Sequence, residues 1–401
     1  MTSRRQRWAR LWSRVWQPPR AHGEQPRDRV VGPLELFYDL VVVALVAQTA
    51  HGLSQQPTWR GLGEFATVFT LIWIAWLSGS LHHELHGRED ARGRSTFLLQ
   101  ILVLVPLGAS IPHAAGDSGA AFAVSAAALF ALLAALWWLA GRRDSPEFHR
   151  ASWLFDACTA ACAVVLLVSA AMPADTRMLA WAALDVAYLA AFAVALCLAP
   201  SGSVTLVTTH ALIERFGLLI IIVLGETVTG VVTGLAEHPL DTLTLAVGLV
   251  AVLVGFGAWW TYFDFAGHRP PRPGRGTTLL WIYAHLPLTA AITVIGAAMV
   301  RIVEHAHDAH TPTSTAWMLC AGTAVTLCTT TVIASTLQDW RTRPGFHRPV
   351  AAACVSIAVA ALALGYAQPA PLLLVVALVA LYSIPWLLAV TLLQRPPATA
   401  I

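Results

Sequence analysis

Apolar runs of roughly 18 residues or more recur along the whole chain, the length a helix needs to cross about 30 Å of hydrocarbon. About twelve can be drawn: 34–53, 62–83, 96–115, 119–140, 151–172, 178–199, 209–235, 242–265, 277–301, 314–336, 349–367 and 370–393. Composition argues the same way, with 57% hydrophobic residues, 12% charged residues and a mean hydropathy of +0.65. An ordinary globular domain carries about 25% charged residues. The expected fold class is therefore all-α, a polytopic membrane protein of about twelve transmembrane helices.

Arginine position tests that count, because all 25 basic residues are arginine. With the N-terminus in the cytoplasm, Arg88, Arg92, Arg94, Arg142, Arg143, Arg150, Arg269, Arg272, Arg275, Arg341, Arg343, Arg348 and Arg395 fall on the cytoplasmic side. Eight more lie in residues 1–30. Arg60 and Arg177 are left in external loops, and Arg215 and Arg301 at span ends. This is the asymmetry of the positive-inside rule, and an odd number of spans would break it. The expectation is a multi-pass protein of the cytoplasmic (inner) membrane with both termini cytoplasmic. Residues 1–30 also place Trp8, Trp12 and Trp16 at i, i+4 spacing, a pattern suited to an anionic inner leaflet or to a disordered positive tail that fixes orientation. No apolar core with a small-residue cleavage site follows these arginines, so the tail is not read as a secretory signal.

A repeat underlies the spans. Glu35-Leu-Phe37 and Glu214-Arg-Phe216 each lead into leucine and aliphatics, and Pro146-Glu-Phe-His-Arg150 matches Pro344-Gly-Phe-His-Arg348. The second pair is spaced more widely, which longer loops around 267–276 and 302–313 account for. Equivalent spans six apart enter from the same side, so the halves are expected to be parallel six-helix repeats related by an axis along the membrane normal. The expected organisation is a basic tail at 1–30, a first repeat at 31–200, a linker at 201–208 and a second repeat at 209–396.

Charges inside these runs mark candidate sites, since a charged group in hydrocarbon costs several kcal/mol and needs a partner, water or a proton. Glu35 and Asp39 lie one turn apart on a single face of span one. Glu214 and Glu226 lie in span seven, with Glu226 about 18 Å further along the helix. Asp39 and Glu226, read as acids without a cation partner, are the candidate proton- or cation-binding residues. Glu35 and Glu214 would join them at the entrance with Arg215, or instead cap helix N-termini and pair with Arg215 and nearby loop arginines. His210 could pair with Glu214 across one turn. Asp264 and His285, with Tyr283 beside it, could meet where spans eight and nine adjoin. Asp156 and Asp185 are further intramembrane acids with no evident partner.

Other chemistries find little support. His82-His83-Glu-Leu-His86 and Glu304-His305-Ala-His307-Asp308-Ala-His310 are dense in possible ligands, but neither has the HExxH spacing and a solvated polar stretch gives the same letters. The six cysteines all sit in apolar runs without a CxxC pair and are read as small hydrophobes. No Walker loop, dinucleotide-binding glycine pattern or nucleophile elbow is present. No metal, cofactor or catalytic residue is expected. The expected partners are membrane lipids and a proton or cation with a small substrate, not nucleic acid; the oligomeric state is open.

Glu35-Leu-Phe-Tyr-Asp39-Leu, His210-x3-Glu214-Arg-Phe-Gly217, Leu224-Gly-Glu226, Trp259-Trp-x-Tyr-Phe-Asp264 and Tyr283-x-His285-Leu resemble the bacterial low temperature requirement A family. The likeness runs from about residue 32 to the end of span twelve, with Tyr38 standing where the family usually has a second phenylalanine. It implies a multi-span inner-membrane protein linked to growth in the cold, with no settled biochemistry. The first motif also resembles, more loosely, the F-S-D signature of two-repeat, twelve-span potassium channels, with Tyr38 in the serine position. The leading expectation is a transporter or ion-conducting protein with spans one and seven lining the pathway. The alternatives are an intramembrane enzyme acting on a lipid-linked substrate and a membrane scaffold or sensor in cold or stress response.

Overall fold

The computed structural model describes residues 16–21, 31–88, 90–199 and 208–394. Trp8 and Trp12 of the tail, most of the 201–208 linker and Arg395 lie outside the described residues. Within them are twelve helices long and apolar enough to cross a membrane, and no strand. They are α1 (Pro33–Gln55), α2 (Trp59–His86), α3 (Ala91–Ser110), α4 (Gly119–Gly141), α5 (His149–Ser169), α6 (Ala174–Leu198), α7 (His210–Glu237), α8 (Thr242–Phe265), α9 (Arg275–Glu304), α10 (Thr313–Thr336), α11 (Pro344–Ala367) and α12 (Pro371–Leu393).

Each expected span is one of these helices, and the differences lie at the ends. α3 starts five residues before its apolar run because Asp90 caps it, its Oδ1 accepting from the Gly93 amide at 2.9 Å. Arg60 and Arg177, expected in loops, sit in the first turns of α2 and α6. A cap or a polar first turn extends a helix beyond the residues that hydropathy marks.

The chain forms two compact units, Met1–Thr49 with Glu64–Arg215, and Ala50–Gly63 with Phe216–Ile401. In the first, α3 to α6 pack in sequence order. Their core is aromatic: Trp137 meets Phe155 edge-on at 4.5 Å, and Phe155 meets Tyr188 and Phe192 in the same way. In the second, α9 to α12 pack in order and α8 touches α9, α10 and α12. Rows such as Leu98, Leu102 and Val105 on α3 are exposed. Apolar surface left in water forgoes about 25 cal/mol per Å², so these faces suit hydrocarbon.

The matched sequence motifs do not occupy matching environments. Phe148 is buried and His149 exposed, whereas His347 is buried and Phe346 only half-buried. α5 begins at the histidine, α11 at Pro344.

A buried carboxylate–arginine cluster as the candidate functional site

Glu35, Tyr38, Asp39 and Val42 are all buried, at the i, i+3, i+4, i+7 spacing of one helical stripe. α1 therefore turns both carboxylates inward. Asp39 is 0% exposed, and Trp76 of α2 donates its indole N–H to Asp39 Oδ1 at 2.8 Å. Arg215, 1% exposed, donates from Nη2 to Oδ1 at 2.6 Å and from Nε to Oδ2 at 3.3 Å. This two-point engagement of a carboxylate is the strongest geometry a guanidinium offers. The guanidinium carbon also lies 5.9 Å from the Trp76 ring centroid.

Arg215 is shared. Its Nη1 lies 4.0 Å from Glu35 Oε2 and takes no hydrogen bond among the described residues. Glu35 Oε1 in turn lies 3.2 Å from His83 Nε2 on α2. The groups make a continuous row, His83–Glu35–Arg215–Asp39–Trp76, inside the first unit. Glu214 precedes Arg215 but points elsewhere, since one residue turns a helix by about 100°. It is half-buried and accepts from the Val31 amide at 3.4 Å. His210, one turn earlier, is exposed and makes no hydrogen bond or ion pair with Glu214 among the described residues.

Asp39 was expected to lack a cation, and here the structure corrects the sequence. The acid is held by an arginine 176 residues away. A proton or cation arriving at Asp39 must compete with Arg215.

In the second unit the candidate residues are arranged differently. Glu226 is half-buried on α7, close to a tight crossing with α9. A Cβ added at Gly230 would fall 2.5 Å from the Gly296 carbonyl oxygen, and one at Gly296 would fall 2.9 Å from Glu226 Cβ. Only glycine lets these backbones approach so closely. The Glu226 carboxylate has no hydrogen bond or ion pair among the described residues.

His285 is fully buried, with Nδ1 2.7 Å from the Trp281 carbonyl and Nε2 3.1 Å from the Tyr262 hydroxyl. A carbonyl can only accept, so Nδ1 carries the proton and Nε2 accepts from Tyr262. Phe216 and Trp281 rings close around the imidazole at 4.6 Å each. The expected Asp264–His285 pairing is not formed. Asp264 is exposed and accepts from Trp260 Nε1 at 2.7 Å. It follows Tyr262 by two residues, about 200° around the helix from the face that reaches His285. Tyr283 is half-buried, two residues from His285 and so on another face.

A family model described as the bacterial low temperature requirement A protein matches residues 30–384. The chain belongs to this family. It is also 24% identical over 280 residues to an uncharacterized protein of Rhizobium meliloti (strain 1021), covering 65% of this chain and 67% of that one. No solved structure matches.

In this low temperature requirement A protein two histidines of the 304–310 stretch bond to carboxylates. His307 Nε2 lies 2.8 Å from Asp241 Oδ2, and His305 Nδ1 lies 3.0 Å from Asp308. Asp241 also caps α8, accepting from the Leu243 and Thr244 amides. The His307 ring and these Thr244 and Leu243 bonds hold its carboxyl well below the usual carboxylate range. Among the described residues no three His, Cys, Asp or Glu side chains converge as a metal would require.

Sequence reasoning overlooked Trp76 and treated His83 only as one of a histidine group. A signal was present. Arg215 sits near the start of a long apolar run, and a guanidinium there needs an acceptor on another helix.

Proposed function

We propose that this protein is a proton-coupled transporter or conductor of the cytoplasmic membrane, with both termini cytoplasmic and the Glu35–Arg215–Asp39 cluster as its coupling site. The observation that carries the reading is one buried guanidinium shared by two carboxylates a turn apart. Replacing a buried ion pair with apolar residues is often neutral or stabilising, so such a cluster is a poor device for stability alone. Charges at membrane depth more often serve transfer of ions or protons. The arginine distribution supports the orientation.

The cluster is a two-position switch. With Asp39 ionised, Arg215 rests on it. A proton on Asp39 removes that charge, and Arg215, which keeps its own proton, moves to Glu35. Two discrete pairings of one element are what coupling requires. Glu226 supplies a second proton or cation site, supported by its half-burial in an apolar helix. Glu214, His210, Asp264, Tyr283 and His285 are supporting residues in this reading, each within its own unit.

The test is ion flux in proteoliposomes holding purified protein, read with a pH dye and a membrane-potential dye together. Asp39→Asn is expected to abolish flux, and Glu226→Gln to reduce it, in samples matched for insertion. Absence of flux under proton, sodium and potassium gradients would overturn the reading.

A scaffold is the second reading, favoured by the three hydrogen bonds that already occupy Asp39. It predicts lost abundance in Asp39→Asn and no flux to lose. The enzyme alternative has less support, because Asp264 does not reach His285.

A further inference from the structure

Beside His83 lies a recess of about 30 Å³, entirely within the first unit. Gly79, His82, His83, Thr96, Phe97 and Gln100 form its inner part. Three polar atoms in this neighbourhood have no hydrogen bond among the described residues. Gln100, 4% exposed, spends its amide N–H on the Thr96 carbonyl at 3.3 Å, leaving buried Oε1 without a donor. The Tyr38 hydroxyl and His82 Nε2 are buried without a hydrogen bond among the described residues. Two of them converge on α2 at Gly79. A Cβ there would fall 2.9 Å from Gln100 Oε1 and 3.3 Å from the Tyr38 hydroxyl. The bare glycine keeps that corner open to small polar guests.

We infer that this recess is a hydrated proton entrance feeding the Glu35–Arg215–Asp39 cluster. The inference rests on the proton-coupled reading above. The volume admits about two water molecules, and a water needs two to four polar partners, which Gln100, His82 and His83 of the lining supply. His83 joins the recess to the cluster, lining the one and bonding Glu35 of the other. A hydronium in the recess gives its proton to His83 Nδ1 and becomes water. The imidazolium releases the proton on Nε2 to Glu35 Oε1. Glu35 then passes it to Asp39, and Arg215 moves to the carboxylate left behind. Each step transfers one proton and leaves Arg215 charged.

The outer end is lined by Gln17, Pro18 and Pro19. Arg20 donates from its amide to the His86 carbonyl at 3.0 Å and from Nη2 to the Glu84 carbonyl at 2.6 Å. The Gln17 amide donates to Asp90 Oδ2 at 2.6 Å. Around His83 and the recess stand Glu35 from α1, His82 and His86 from α2, Arg88, and Asp90 and Arg92 at the start of α3. Arg215 reaches Glu35 from α7, and Arg20 reaches His86 from the segment that carries Gln17.

Proton flux in proteoliposomes tests the route in the full chain. Gly79→Ala fills the corner with a methyl in a helix that tolerates alanine well. Gln100→Leu removes the unpartnered oxygen, while Gln100→Glu keeps an oxygen in its place. Gly79→Ala and Gln100→Leu are expected to lose tenfold or more of the flux at normal membrane levels, and Gln100→Glu to retain most of it. Should Gly79→Ala insert poorly, the two Gln100 variants decide. Wild-type flux in both Gly79→Ala and Gln100→Leu, with Asp39→Asn inactive, would overturn the entrance and leave the coupling site standing. No proton flux in the wild type would overturn both.

Discussion

Glu35-Leu-Phe37 and Glu214-Arg-Phe216 look alike as strings and behave differently as structure. Phe37 is 52% exposed, whereas Phe216 is 0% exposed and packed on Trp281 and His285. Aligning the motifs sets Leu36 against Arg215 and Asp39 against Leu218. One string supplies the acid and the other the base, so the ion pair arises where the two have diverged. Around it, in the first unit, polar groups form one row from His83 to Trp76 beside a recess. In the second unit His285 is fully hydrogen-bonded, Glu226 stands apart, and glycines bring α7 and α9 together. A charge network built on one shared guanidinium differs from a helix crossing built on glycines.

The largest effect is expected where a charge is stranded. Arg215→Leu leaves Asp39 buried and unpaired, a loss of about 3–5 kcal/mol. The Asp39→Leu/Arg215→Leu double variant should recover most of that loss and still carry no flux. Thermal midpoints of detergent-purified protein, set beside proteoliposome flux, check both. A double variant as unstable as the single would make the pair a structural strut and remove the contrast with the second unit.

The glycine crossing gives the next effect. Gly230→Val would press on the Gly296 carbonyl, a backbone atom that cannot rotate aside. Overpacking of this kind costs about 1–3 kcal/mol. The midpoint should fall with no change in flux per inserted molecule. Reduced flux per molecule would instead make the crossing a moving part.

All twelve spans were legible because span length follows directly from bilayer thickness, and hydropathy reports it locally. Their ends were less so, as Asp90 shows: a cap acts through one side chain and leaves no mark on hydropathy. Glu35 and Asp39 were legible because two acids one turn apart must share a face. Their partner was not, since nothing local ties Asp39 to Arg215 across 176 residues. The Asp264–His285 expectation failed for a geometric reason. Asp264 lies in the last turn of α8, and two residues of helix turn it away from the Tyr262 face that meets His285.

Trp76→Phe probes the network more gently. It keeps an aromatic ring beside the guanidinium and deletes one donor to Asp39. Hydrogen bonds to charged groups contribute about 1.5–3 kcal/mol, and with Arg215 still in place the loss should lie near the lower figure. If Arg215 moves during turnover, this variant should favour its departure from Asp39, and the pH giving half-maximal flux should shift. An unchanged pH profile with a lower midpoint would mark Trp76 as packing only.

The smallest effect is expected at Asp241, outside the spans. Its folded carboxyl titrates below its unfolded value, chiefly through the bond from His307. The stabilisation is therefore fully present above about pH 4, the ordinary carboxylate value, and is lost as pH falls through the lower folded value. Asp241→Asn keeps a good helix cap, since asparagine serves there as well as aspartate. The variant should match the wild type closely at pH 7 and show a flatter decline in thermal midpoint below pH 4. A parallel decline would mean that the His307 bond adds nothing to folding, and that the second unit's exposed charges, unlike the buried row of the first, are bystanders.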